Sequence, residues 1–169
     1  ATEGAERPDM TLPPLAAPAD LASHLDDPEL VLLDIRSAVD GGGREAYLSG
    51  HLPGAVHSDY VAGGWRAVRG SGAGMLPEPA ALARLLGDLG IRPATQVVVL
   101  PAGESAGDFA AASRVYWTLK AAGHRRVAML DGGTAGWATS GFPLDSGEVR
   151  ARPAEPYPVV PDASIRALL

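Results

Sequence analysis

A chain of 169 residues with a net charge of −6 and no cysteine has the length of one ordinary domain plus a tail. The acid excess argues against a nucleic-acid or anionic-membrane surface. Missing thiols exclude a cysteine nucleophile, cysteine-ligated zinc and disulfides within these residues. Lys120 is the single lysine among 14 basic residues, and the arginines are spread along the chain. The apolar runs are short, far from the ~20 residues of a membrane span, so the chain reads as soluble and globular. It starts at Ala1, which leaves the compartment open: cytoplasmic by default, periplasmic if a signal peptide preceded it.

Residues 1–17 are rich in proline and aperiodic, and read as a flexible arm. A helix is expected from Ala17-Pro18-Ala19-Asp20, with Leu21, His24 and Leu25 on one face and Asp26-Asp27-Pro28 as its stop. Val31-Leu32-Leu33 reads as a buried parallel strand. A short helix is expected over 44–50 and a short strand at Ala55-Val56-His57. Residues 58–76 are rich in glycine and read as a solvated loop carrying Trp65, Arg66 and Arg69. Pro79 opens a helix whose buried face is Leu82, Leu85, Leu86 and Leu89, closed by Gly90. Val97 to Leu100 is a second buried strand. The helix after it, Asp108 to about Ala122, shows an apolar stripe of Phe109, Ala112, Val115, Tyr116 and Leu119, with Gly123 as C-cap. Val127 to Leu130 is a third strand, and Thr134 to Thr139 a short helix around Trp137. Strands alternating with helices imply an α/β fold with a small central, mostly parallel sheet flanked by helices on both faces. From Ser146 the composition returns to proline-rich and extended.

The segment that invites chemistry follows Val97-Val98-Val99-Leu100. Pro101-Ala102-Gly103-Glu104-Ser105-Ala106-Gly107 is a glycine-rich turn from a strand into a helix N-terminus, an arrangement that favours anions. Gly103, Glu104, Ser105, Ala106 and Gly107 are therefore the anion-binding candidates, with at best millimolar affinity because Glu104 and Asp108 add negative charge. Gly103-Glu104-Ser105-Ala106-Gly107 also matches the G-x-S-x-G of a serine-hydrolase elbow. That reading needs Asp108 and His124 as partners of Ser105. His124 would lie at the far end of a ~20 Å helix, so a serine hydrolase is a remote alternative. His51, His57, His24 and His124 lack metal-ligand spacing, so no metal is expected. Gly41-Gly42-Gly43 lacks the lysine of a P-loop, and no cofactor motif is present.

Several segments, in order, resemble the rhodanese family. Val31-Leu32-Leu33-Asp34-Ile35-Arg36 is similar to its L-D-x-R strand end, and Gly50-His51-Leu52-Pro53-Gly54-Ala55 to its G-H-I-P-G-A. Arg114-Val115-Tyr116-Trp117 resembles R-V-W-W. Gly123-His124 and Leu130-Asp131-Gly132-Gly133-Thr134-Ala135-Gly136-Trp137 resemble G-H-x-x-V-x-x-L-D-G-G-x-x-x-W. The resemblance is closest to the first, non-catalytic domain of tandem thiosulfate sulfurtransferases. It implies a rhodanese-like domain over 18–147, with 148–169 a linker and the start of a truncated second domain. That second domain, the expected partner, would carry the catalytic cysteine. Within this segment the resemblance puts Pro101 at the cysteine position, so no catalytic residue is expected. It gives Asp34, Arg36, His51, Asp131, Gly132, Gly133 and Trp137 structural roles: an Asp34–Arg36 brace, tight turns at Gly54 and Gly132-Gly133, and Trp137 packed under the sheet edge. A stand-alone regulatory module that binds an anion or a partner is the alternative from another class.

Overall fold

The computed structural model describes residues 12–66 and 76–161; the expectations for Ala1–Thr11, Arg69 and the stretch from Asp162 to Leu169 lie outside them. Five strands form one sheet: β1 (Leu15–Ala16), β2 (Leu30–Asp34), β3 (Val56–His57), β4 (Gln96–Leu100) and β5 (Val127–Leu130). Their spatial order is β1-β5-β4-β2-β3, and every pairing is parallel. The helices are α1 (Pro18–Ala22), α2 (Gly43–Ser49), α3 (Pro79–Asp88), α4 (Ala106–Ala121) and α5 (Gly133–Thr139).

The central strand β4 is buried along its whole length, which is why its sequence is continuously apolar rather than alternating. Successive residues still divide between two cores. Val97 and Val99 join Leu33, Ile35 and Val127 beneath α3 and α4, against Leu82, Leu86, Val115 and Leu119. Val98 and Leu100 join Leu32, Ala128 and Leu130 on the opposite face, against Leu21, Tyr47 and Trp137. The sheet is thus covered on both sides, as the alternating pattern requires.

Three expectations are corrected. The arm was expected to run to residue 17, but Leu15–Ala16 is an edge strand paired with Met129 and Leu130, and Leu12 is buried with its N–H donating to the Gln96 side chain. Phe109 leaves the apolar stripe of α4: it is 47% exposed, whereas Val115 and Leu119 are fully covered. The segment with Trp65 is not simply a solvated loop, because the Trp65 ring lies in the α3–α4 core and its Nε1–H donates to Ser58 Oγ at 2.8 Å. Beside it the Arg66 guanidinium stacks over the Tyr60 ring.

Beyond α5 the proline-rich segment stays on the domain. Asp145 exchanges backbone hydrogen bonds with His51, and the N–H groups of Ala154, Tyr157 and Val160 donate to the carbonyls of Gly87, Ala83 and Ala122. It passes from the α2 side to the α3–α4 side.

Candidate functional site

The connections after β2 and β4 leave the sheet toward opposite faces, since α2 packs with one core and α4 with the other. In an open α/β sheet the crevice at such a divergence, outside the strand C-termini, is where ligands usually bind. Gly41 in the β2–α2 connection and Ala102 in the β4–α4 connection approach so closely that a Cβ on Gly41 would lie 2.6 Å from that of Ala102.

Pro101 is buried at the end of β4. Its carbonyl accepts from Thr134 N–H at 2.9 Å, and that of Ala102 from Ala135 N–H at 2.9 Å. The loop is thereby docked on the first turn of α5. This approach is possible only with glycine on both sides. A Cβ at Gly103 (φ +83°) would sit 1.9 Å from the Gly132 carbonyl oxygen, and one at Gly133 (φ +60°) 2.4 Å from that of Pro101. Gly54 and Gly132 also have positive φ, as their turns require.

The loop donors converge, as a glycine-rich strand–helix turn should make them do, but on a side chain of the chain itself. Asp108 accepts from the backbone N–H groups of Gly103 at 3.1 Å, Glu104 at 2.8 Å and Ser105 at 2.8 Å. Ser105 is the N-cap of α4: its Oγ accepts from Asp108 N–H at 3.1 Å and lies 3.2 Å from the Asp108 carboxylate. The pair is a reciprocal capping box, and Asp108 is almost wholly buried. Three of the donors assigned from sequence to an external anion thus serve Asp108. Only Ala106 and Gly107, in the first turn, lack an intrahelical acceptor by the geometry of a helix. The S-x-x-D spacing of Ser105 and Asp108 was the signal for this arrangement.

The serine-hydrolase constellation does not assemble. His124 lies past the opposite end of α4, roughly 24 Å along a helix of this length. Its Nδ1 meets the Tyr157 hydroxyl at 2.8 Å and its Nε2 the Thr95 carbonyl at 2.9 Å.

Asp34 and Arg36 do form a brace. Arg36 Nη2 lies 2.7 Å from Asp34 Oδ2 with both side chains buried, and the Arg36 Nε and backbone N–H also donate to that carboxylate. The same Nη2 donates to the Gly50 carbonyl at 2.7 Å, and the Arg36 carbonyl meets His57 Nε2 at 2.8 Å. The ion pair therefore ties the β2 end to the connection ahead of β3, and the Arg36 backbone reaches β3 itself. Both ring nitrogens of His51 contact carbonyls, of Leu52 and Gly147, and the ring stacks on Tyr47. Burial raises the Tyr47 phenol above its ordinary value. Asp131 is exposed, and its N–H closes the β1 edge on Ala16. Trp137 is fully buried and donates to the Pro143 carbonyl. Among the described residues no three histidine or acidic side chains cluster as metal ligands.

Residues 17–140 match the rhodanese-like domain family. The chain is 36% identical over 148 residues to the thiosulfate sulfurtransferase of Pseudomonas aeruginosa, a match that covers 88% of this chain and 50% of that protein. It is 34% identical over 133 residues to the 3-mercaptopyruvate sulfurtransferase of Escherichia coli, covering 76% and 45%. A crystal structure of an Escherichia coli 3-mercaptopyruvate sulfotransferase superposes with a TM-score of 0.70 at 29% identity, over 88% of this chain and 57% of that one. The chain spans about half the length of the curated relatives it matches.

Proposed function

The chain belongs to the rhodanese-like domain family, and from that premise we propose that it is a non-catalytic half of a tandem sulfurtransferase. In this reading it is the first half. A second rhodanese domain of the same protein carries the cysteine that moves a sulfur atom from a donor such as thiosulfate or 3-mercaptopyruvate to a thiophilic acceptor, while this half walls the cleft.

The observation that carries the reading is Pro101 at the end of β4, where the family resemblance puts the nucleophile. Persulfide chemistry needs a thiolate held in a ring of donors. Proline supplies neither sulfur nor an N–H, and the chain has no cysteine elsewhere. The loop supports the same conclusion electrostatically. Gly103, Glu104 and Ser105 donate to Asp108, so an incoming anion meets a fixed carboxylate where an active loop would offer open donors. Any binding of sulfate or thiosulfate at 103–107 is then no tighter than about 1 mM. The span of about half the relatives' length favours a tandem parent over a stand-alone module.

The 169-residue chain, incubated with thiosulfate or 3-mercaptopyruvate and cyanide, should yield no thiocyanate above the uncatalysed rate. Clear turnover would overturn the proposal. The parent coding sequence decides the second half of it: a rhodanese segment with a cysteine after its own β4 supports the tandem enzyme, and a stop codon soon after Leu169 supports the stand-alone module.

A further inference from the structure

We propose that residues 148–160 form a clasp closed on the α3–α4 face by the His124–Tyr157 hydrogen bond, and that protonation of His124 releases the distal part of it. The path of this segment is built into the domain. Three glycines seat its backbone: a Cβ at Gly90 would lie 2.6 Å from the Arg152 carbonyl oxygen, one at Gly87 2.6 Å from that of Glu155, and one at Gly123 2.7 Å from that of Val160. Gly87 lies in α3, and Gly90 and Gly123 follow the ends of α3 and α4. Larger residues at these positions would push the segment off.

The proximal end is held by contacts that do not involve His124: Val149 N–H donates to Tyr47 Oη, whose ring stacks on His51, and Glu148 pairs with Arg44. The distal end depends on Tyr157. Its ring joins the α3–α4 core, and its hydroxyl meets His124 Nδ1 at 2.8 Å. On the other side of the imidazole, Nε2 faces two carbonyl oxygens, of Thr95 at 2.9 Å and Arg126 at 3.2 Å. Carbonyls only accept, so Nε2 carries the proton and Nδ1 accepts from the tyrosine. The ring is 1% exposed. The charged and titratable groups that face it are Lys120 from α4, Arg126 ahead of β5 and Tyr157 from the clasp; none of them is an acid. Burial lowers the imidazole pKa; the hydrogen bonds to the two carbonyls work against this, and the two cations add to the lowering. A second proton would go to Nδ1, turning the acceptor of the Tyr157 hydroxyl into a donor. It would also leave an unpaired cation in the core. Lifting Tyr157 admits water to the charged ring at less cost than unfolding the sheet. The sign follows: the clasp stays closed above the ordinary imidazole value of about 6.5 and opens as the pH falls below it.

Amide hydrogen exchange of the whole chain, read by NMR and corrected for intrinsic rates, tests this at pH 7.5 and 5.0. Relative to β4 amides, Tyr157 and Val160 N–H should lose about tenfold or more in protection at pH 5.0, while Val149 keeps its own. His124→Gln, which retains a donor toward the carbonyls and cannot be protonated, should remove the pH effect. Tyr157→Phe should open the distal end at both pH values with the sheet intact. Constant protection of Tyr157 and Val160 in the wild-type chain would overturn the proposal whether or not the variants fold. So would an equal loss at acid pH in His124→Gln.

Discussion

Replacing Asp108 by alanine removes the acceptor of three backbone donors and one half of the α4 capping box. Loss of an N-cap partner costs about 1 kcal/mol, and each buried hydrogen bond to a charged group contributes about 1.5–3 kcal/mol. The full sum is not reached, because Gly103, Glu104 and Ser105 are themselves exposed and water can hydrate their freed N–H groups. We expect a net loss of about 2–3 kcal/mol, or a fall in Tm of about 4–12 °C for a chain of this size. Thermal and urea unfolding followed by circular dichroism measure it. The variant also carries a signature that a merely weakened helix would lack. Its vacated donors converge at a helix N-terminus, so sulfate should raise the Tm of Asp108→Ala more than that of the wild type, beyond the effect of matched chloride. A loss under about 0.5 kcal/mol, within the range of ordinary surface substitutions, would show that the Asp108 carboxylate is not what holds the loop. An equal sulfate response in both proteins would show that the donors do not form a cradle when emptied.

Pro101→Cys should place a thiol beside the filled loop without restoring sulfur transfer; its titration should give a pKa at or above the ~8.5 of free cysteine, and a thiolate forming below pH 7 would refute this. Asp34→Ala strands the buried Arg36 guanidinium and should cost about 3–5 kcal/mol in urea unfolding; a cost below 1 kcal/mol would mean that water reaches the pair. Gly103→Ala demands a left-handed residue and a clash with the Gly132 carbonyl, so a loss above about 3 kcal/mol is expected, visible as poor soluble yield or a lowered Tm; an unchanged Tm would mean that the loop does not dock on α5.

The elements with strong local patterns were legible from the residues. Val127–Leu130 is the expected strand to the residue, β2 extends its expected strand by one position at each end, and β4 adds Gln96 alone. Their signal is local: continuous apolar runs between turn residues. What escaped depends on distant partners. Leu15–Ala16 is two residues after a pair of prolines, and only its pairing with β5 makes it a strand. The tail from Ser146 has the composition of a linker, and nothing nearby in sequence shows that Gly87, Gly90 and Gly123 shape a path for it. The resemblance drew attention to the loop after β4. Yet in the sequence Asp108 counts as a charge opposing anions, whereas in the fold it is the anion the loop holds. Periodicity likewise puts Phe109 on the stripe of α4, but its side chain is about half exposed and stands outside the core that Ala112, Val115 and Leu119 join.

The sheet also has a consequence for association between copies. Its outermost strands, β1 and β3, are two residues long, so little unpaired backbone is left on which another chain could add a strand. The segment in greatest need of that protection is β4, a Gln-Val-Val-Val-Leu run without charge or proline, the composition that stacks into fibrils when exposed. Its neighbours β2 and β5 lie far from it in sequence on either side. The most adhesive part of the chain is therefore sheltered only when both have arrived, and the interval before that is when aggregation competes with folding.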